Sequence, residues 1–381
     1  VVLALVFAAL PLVTRGRVKA AVGRYRNVAA EDRQRSSLVI FGAIAVACLG
    51  LPMVLGGIVN ELLANVGLFL LLALGLNIVV GLAGLLDLGY VAFFAVGGYT
   101  TSVLTSSNSP FFAPEWHFGI ALLFVVVMAA VAGLVIGAPV IRMRGDYLAI
   151  VTLGFGEIVR LLFLSDWLKP YFGGSQGITK VNPVELGPFK VQGSDPRSVF
   201  YLVLVFCALA IYVSWRLQGS RLGRAWMATR EDEQVAEAMG INTVNAKLAA
   251  FVVGATMAAF SGAVLAAKVG SVFPKSFEIL VSIIILVVVI VGGMGNIAGV
   301  MVGSLVLIGI LGGPRQPGLL QEFQSYKLLI YGALLVFMML KRPEGLVPSA
   351  RRTRELHQDE YLQDAWLGDD AESEGDQGAP S

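Results

Sequence analysis

Between residues 37 and 341 apolar runs of membrane length follow one another with only short polar stretches between them. They cover 37–59, 61–81, 86–104, 118–141, 147–165, 198–215, 247–267, 278–294, 297–312 and 327–341. In hydrocarbon every backbone N–H and C=O has to be satisfied within the protein, so such segments have little choice but helix. Apolar residues make up 56% of the chain and mean hydropathy is +0.77. The expected fold class is therefore all-α, a polytopic transmembrane helical bundle of about ten spans.

The flanks differ from this core. Residues 1–13 are apolar but short for a span, and no small-residue cleavage site follows them, so they read as a short or incomplete transmembrane helix. Residues 15–35 carry Arg17, Lys19, Arg24, Arg26 and Arg33, which places the stretch in the cytoplasm. The chain thus reads as 1–36, an apolar segment with a basic cytoplasmic stretch; 37–341, the transmembrane domain; and 342–381, an acidic tail. The tail carries Asp369, Asp370, Glu372, Glu374 and Asp376 and is expected to be disordered. Counting spans from the basic stretch puts the 166–197 loop outside and the 216–246 loop inside. Arg216, Arg221, Arg224 and Arg230 agree with that.

The inner loop holds a helix signal. In RLGRAWMATREDEQVAEAMGI, residues 221–241, Thr229 is three residues before Asp232, as in a capping box. Glu231, Asp232 and Glu233 put negative charge at the positive end of a helix dipole. Val235, Ala238 and Met239 share one face, and Gly240 supplies the left-handed stop before Ile241. The predicted helix runs from about Arg230 to Met239 with Ala236 and Ala238 as small contact residues. A solvated connector and a helix docked on a cytoplasmic partner are both compatible with it.

Glycines interrupt the spans. Residues 75–100, GLNIVVGLAGLLDLGYVAFFAVGGYT, contain Asn77, Asp87, Tyr90, Gly97, Gly98 and Tyr99. Two readings stay open, close helix packing through small residues and a broken or re-entrant helix lining a pathway. Gly292, Gly293, Gly295 and Asn296 join two runs by a very tight turn. Glu157 and Arg160 stand three apart on one helical face, well inside a span. They are either a structural ion pair between helices or part of a conduction path. Together these residues form the candidate translocation path.

Four stretches, the 75–100 run, RMRGDYLAIVTLGFGEIVR at 142–160, the 221–241 loop and GGMGNIAG at 292–299, resemble the branched-chain amino acid permease family of ATP-binding-cassette importers. The likeness covers about residues 60–345. It implies a non-enzymatic permease subunit in the bacterial cell (inner) membrane. It also implies partners: two ATPase subunits, a homologous second permease and an extracytoplasmic substrate-binding protein. ATP would bind the ATPases, because this chain has no phosphate-binding loop; the nearest candidate, Gly173 to Gly177, has the wrong spacing. In the family's motif, Arg224, Arg230, Glu231, Asp232, Glu233, Ala236, Glu237, Ala238, Gly240 and Ile241 form the ATPase-coupling loop. The same branch includes importers of urea and other amides.

Other classes have less behind them. A proton-coupled secondary transporter would use Glu157 and Arg160 as its relay. A membrane enzyme would need paired carboxylates or a Ser-His arrangement among the spans. Cys48 and Cys207 lie inside apolar runs and His117 and His357 are far apart, so no disulfide, metal centre or cofactor in this chain is expected. The basic stretches read as membrane-orienting, with no nucleic-acid partner.

Overall fold

The computed structural model describes residues 50–347 apart from 51, 55, 112, 141, 142, 144, 145, 187, 188, 315, 317 and 320–324. The 1–13 segment, the basic 15–35 stretch, most of the 37–59 run with Cys48, Arg142, Arg144 and the acidic tail lie outside the described residues. The chain divides into two compact units, residues 1–56 and 57–381. Of the first, Gly50, Pro52 to Val54 and Gly56 are described, the first four as helix.

In the second unit, α1 (Gly57–Leu76) runs on as a π-helical segment, Asn77–Leu82, making one span of 26 residues. Residues 83–90 have no regular structure, and α2 (Val91–Thr105) follows. Next come α3 (Phe118–Val140), α4 (Asp146–Leu164) and α5 (Pro196–Gln218). The inner loop folds as two short helices, α6 (Arg221–Glu231) and α7 (Glu233–Ala238). The last elements are α8 (Thr243–Val269), α9 (Ile279–Gly292), α10 (Ile297–Val306) with a π-helical end at Leu307–Leu311, and α11 (Lys327–Lys341).

Five of these, α1 with its π segment, α3, α4, α5 and α8, are each long and apolar enough to cross a membrane. The expected runs 278–294 and 297–312 are α9 and α10, two pieces joined at 120° that make at most one broken crossing. The expected run 86–104 is the 15-residue α2 preceded by irregular chain. At a rise of about 1.5 Å per residue, α2 is roughly 22 Å long and too short to span alone.

The bundle is organised around α8, which packs against α1, α2 and α3. It can do so because small residues fill its middle, with Gly254, Ala255, Ala258, Ala259, Ser261, Gly262 and Ala263 all buried. In a membrane, helices associate through close packing rather than through release of water, so small residues belong at the contact. At Gly97 a Cβ would lie 2.0 Å from the Ala259 carbonyl oxygen, and at Gly262 one would lie 2.1 Å from that of Phe94. α2 and α8 therefore touch backbone to backbone.

The end of the bundle that carries residues 166–197 departs from an all-helical expectation. β1 (Ile178–Thr179) pairs antiparallel with β4 (Ser271–Val272), Ile178 opposite Val272. β2 (Val184–Leu186) and β3 (Phe189–Val191) form a hairpin. Ser106, just past α2, bridges to Val181 and donates to the Thr179 carbonyl at 2.6 Å. Two- and three-residue strands leave no periodic signature in a loop rich in Gly and Pro, so sequence reading misses them.

Both the 166–197 loop and the end of α8 thus lie at one end of the bundle, opposite α6 and α7. Single cysteines at Ser175 and Arg221, both exposed, in a background lacking Cys48 and Cys207, test the orientation. An impermeant thiol reagent added outside cells labels position 175 and spares 221; the reverse pattern inverts the topology.

Candidate functional site

The inner loop is built differently from the sequence expectation, and the difference is informative. Ser220 caps α6, its Oγ accepting from Gly223 N at 3.1 Å. Thr229 does not cap anything: its hydroxyl donates to the Ala225 carbonyl at 2.8 Å and the residue is buried in the last turn of α6. A hydroxyl that can reach the carbonyl four residues back competes with the capping geometry. The cap of the second helix is Asp232, whose Oδ1 accepts from Gln234 N at 2.8 Å and Val235 N at 3.0 Å. The helix therefore begins at Glu233, not Arg230. Glu231 sits at the negative end of α6 rather than at the positive end of α7.

The stop is as expected. Gly240 has φ +84°, Gly240 N donates to Glu237 O at 2.9 Å and Ile241 N to Ala236 O at 3.0 Å. This pair of bonds is the Schellman arrangement, which needs a left-handed residue at Gly240. α7 is a rigid stub capped at both ends. Its buried side is Ala236, so the expectation that Ala236 meets a partner is corrected: it faces its own chain. Its open side is Val235, 58% exposed, and Met239, 79% exposed, with Ala238 and Glu237 beside them.

The loop is anchored to the bundle by buried and paired groups that sequence reading missed. Trp226 is fully buried and its Nε1 donates to the Ala246 carbonyl at 2.7 Å. Lys247 at the start of α8 pairs with Glu233 at 2.6 Å. Arg224 stays outside, capping the Gly219 carbonyl at 3.0 Å. Arg230 turns inward: its Nη1 donates to the Gly81 carbonyl, and its aliphatic stem lies across Gly84. An aromatic in a polar stretch, such as Trp226, was the one hint of this anchoring that the sequence offered.

The candidate path residues occupy separate levels. At the end of the bundle near α6 and α7, Asn77 Oδ1 accepts from Gly295 N at 2.8 Å, joining the π segment to the 293–296 turn. Asn296 caps α10 by accepting from Ala298 N at 3.1 Å and donates to Val347 O at 3.0 Å. Gly292 packs against Gly299, and Gly293 takes φ +124°. At mid-depth, Tyr90 is fully buried and donates to Gly254 O at 2.8 Å, while Asp87 Oδ1 accepts from Gly89 N at 2.9 Å. Leu88 N donates to Thr152 Oγ1 at 3.0 Å and Val91 N to Ser282 Oγ at 2.9 Å. A side chain of α4 thus serves Leu88 in the irregular stretch and one of α9 serves the first amide of α2, partners of the kind that non-helical chain at membrane depth requires. Further out, Tyr99 stacks on Phe163 at 4.0 Å with Phe277 beside it, and Gly98 abuts Phe277.

Close packing and a broken helix both occur in the Gly-rich stretch, at different residues. Gly97 is a packing residue, and the helical chain breaks at residues 83–90, between the π segment and α2. Asp87, Tyr90 and Tyr99 are buried within the chain. An apolar groove of about 290 Å³ lined by Leu71, Phe206, Ala210, Val253, Met257 and Phe260 contains none of the candidates.

Glu157 and Arg160 pair with each other inside α4, Arg160 Nε lying 3.0 Å from both carboxylate oxygens. The pair closes within one helix and not between two. Their side chains keep 36% and 21% exposure, on a side of α4 that this chain leaves partly open. Glu157→Gln removes the hydrogen-bonded partner of Arg160 and leaves Glu278, the residue before α9, as the other acid acting on it, and is expected to lower uptake severalfold. Adding Arg160→Gln restores part of it, and a double-mutant cycle gives a coupling of about 1 kcal/mol or more. Additive losses would show that the two groups act independently.

Residues 58–339 match the family model described as branched-chain amino acid transport system / permease component. The chain is 39% identical to the high-affinity branched-chain amino acid transport system permease protein LivM of Escherichia coli (strain K12), over 74% of this chain and 68% of that protein. It is 27% identical to the probable LivM permease of Methanocaldococcus jannaschii, over 82% and 92%. The permease LivH of E. coli K12 is 26% identical over 73% of this chain and 91% of its own. No solved structure matches. With its bundle of membrane-length helices and a family match over most of its length, this chain is a multi-pass transport permease and belongs to the branched-chain amino acid transport system permease family.

Proposed function

We propose that this chain forms one half of the translocation path of an ATP-driven importer in the bacterial inner membrane. The cargo is a branched-chain amino acid or a related small polar solute, handed over by an extracytoplasmic binding protein. A homologous second permease completes the path, and two ATPase subunits, which bind the ATP, dock on the inner loops. The observation that carries this reading is α7: a helix capped at both ends, anchored by Trp226 and Lys247, with Val235 and Met239 bare outside the spans. A connector has no need of a rigid apolar face in water, whereas a partner groove does. The open side of α4 carrying Glu157 and Arg160 suits a path completed by a second subunit.

The higher identity to LivM than to LivH supports the LivM-type position in such a pair. Identification of the cargo leans on those relatives, because binding-protein-dependent importers set much of their selectivity in the binding protein. Proteoliposomes holding the purified complex test the whole reading. Labelled leucine is expected to accumulate only with ATP at the ATPase face and binding protein at the other. Uptake driven by an imposed proton gradient without ATP would replace this reading with a secondary transporter.

A further inference from the structure

Three elements meet at the Gly81 carbonyl. α1 ends just beyond it in its π segment, so this carbonyl is among the last of the span and has no partner further along its own helix. The 293–296 turn lies against it from one side: a Cβ at Gly81 would stand 2.6 Å from Gly295 N, which is itself held by Asn77 Oδ1 at 2.8 Å. Arg230 comes from the loop side, its guanidinium donating to Gly81 O. A cation there also suits the negative end of the α1 dipole. Gln218, at the end of α5, adds a second tie from its Nε2 to Gly295 O at 3.1 Å.

Arg230 is two residues before Asp232, the cap of α7. Any tilt of α7 that carries the end of α6 with it therefore pulls on a donor fixed to the inner end of α1. Its stem has little freedom to absorb that pull, since it is pressed on Gly84, where a Cβ would sit 2.6 Å from Arg230 Cγ.

We propose that Arg230 is a positioning residue that transmits movement of the docking helix to the inner end of the path, by tying α6 and α7 to the Asn77–Leu82 segment and, through Asn77, to the Gly293–Asn296 turn. The proposal rests on α7 being the ATPase-docking helix. It assigns Arg230 to transmission and leaves docking to Val235, Ala238 and Met239.

The test compares Arg230→Gln, Arg230→Lys and Ala238→Arg in the complete reconstituted importer, scoring ATPase retention and leucine taken up per ATP hydrolysed. Arg230→Gln keeps the ATPases bound while uptake per ATP falls by about tenfold, a typical coupling between sites. Arg230→Lys, with charge and one donor retained, recovers part of the loss. Ala238→Arg sheds the ATPases. Unchanged uptake per ATP in Arg230→Gln overturns the proposal, as does loss of the ATPases from that variant. Should Arg230→Gln not fold, Arg230→Met carries the same split, because it keeps an unbranched stem against Gly84 and lacks the donor to Gly81 O. If Ala238→Arg holds its ATPases and imports normally, it is the docking reading that has failed, whatever Arg230 does.

Discussion

Replacing Gly97 with leucine is expected to abolish the folded permease. Even a methyl group at this position would lie 2.0 Å from the Ala259 carbonyl oxygen and 2.4 Å from its Cα. Both are backbone atoms of the central helix α8, so no rotamer change can make room. Gly262 repeats the arrangement from the other side, where an added methyl would stand 2.1 Å from Phe94 O and 2.6 Å from Gly98 N. Overpacking a core that can yield costs about 1–3 kcal/mol. Here two helices would have to separate along their closest contact, and the loss approaches the whole stability of roughly 5–15 kcal/mol. Gly119→Leu is the control: it lies at the start of α3 and meets nothing within 4 Å. Size-exclusion profiles and membrane yield check the contrast. A monodisperse Gly97→Leu permease with normal uptake would mean that α2 and α8 are not packed in this way.

That contact also shows what was and was not legible in the sequence. The apolar runs, their order and the interruption between residues 75 and 100 follow from composition and glycine spacing alone. What completes the interruption does not, because its partners are remote. Leu88 is served by Thr152, Tyr90 by Gly254 and Val91 by Ser282, at separations of 64, 164 and 191 residues. A chain read locally shows that a helix breaks there, and only packing shows which hydroxyl or carbonyl makes the break tolerable. The 221–241 loop resists local reading for a subtler reason. Thr229 and Asp232 satisfy the spacing of a capping box, yet the helix already under way from Ser220 claims Thr229 for its last turn. Gly240 was legible because its requirement is local: a left-handed residue stops a helix whatever surrounds it. Arg230 was legible as part of the loop and not as a residue that points into the bundle, since nothing in its neighbours tells which way a long side chain turns.

On the proposed docking of α7, Ala238→Arg and Gly240→Val are expected to separate the permease from the proposed ATPase subunits by two different routes. Ala238 lies with Val235 and Met239 on the open side of α7, so an arginine there puts a charge into the contact that a docked groove has to exclude. Disrupting the centre of such an interface commonly costs about 2 kcal/mol or more, enough to lower affinity at least thirtyfold. Gly240→Val meets no steric obstacle, because nothing lies within 4 Å of a Cβ there. Its fault is conformational: φ +84° is a region a β-branched residue resists, at a cost of about 1–2 kcal/mol. The bonds from Gly240 N to Glu237 O and from Ile241 N to Ala236 O then loosen, and α7 meets its partner misaimed. Ala236→Arg is the internal comparison. Ala236 is 3% exposed against its own chain, so that change should unfold the loop and reduce permease yield rather than act at the contact. ATPase co-purification and leucine uptake, at matched membrane levels of permease, read all three. Normal ATPase retention and uptake in both Ala238→Arg and Gly240→Val would leave α7 as a connector and overturn its proposed docking role.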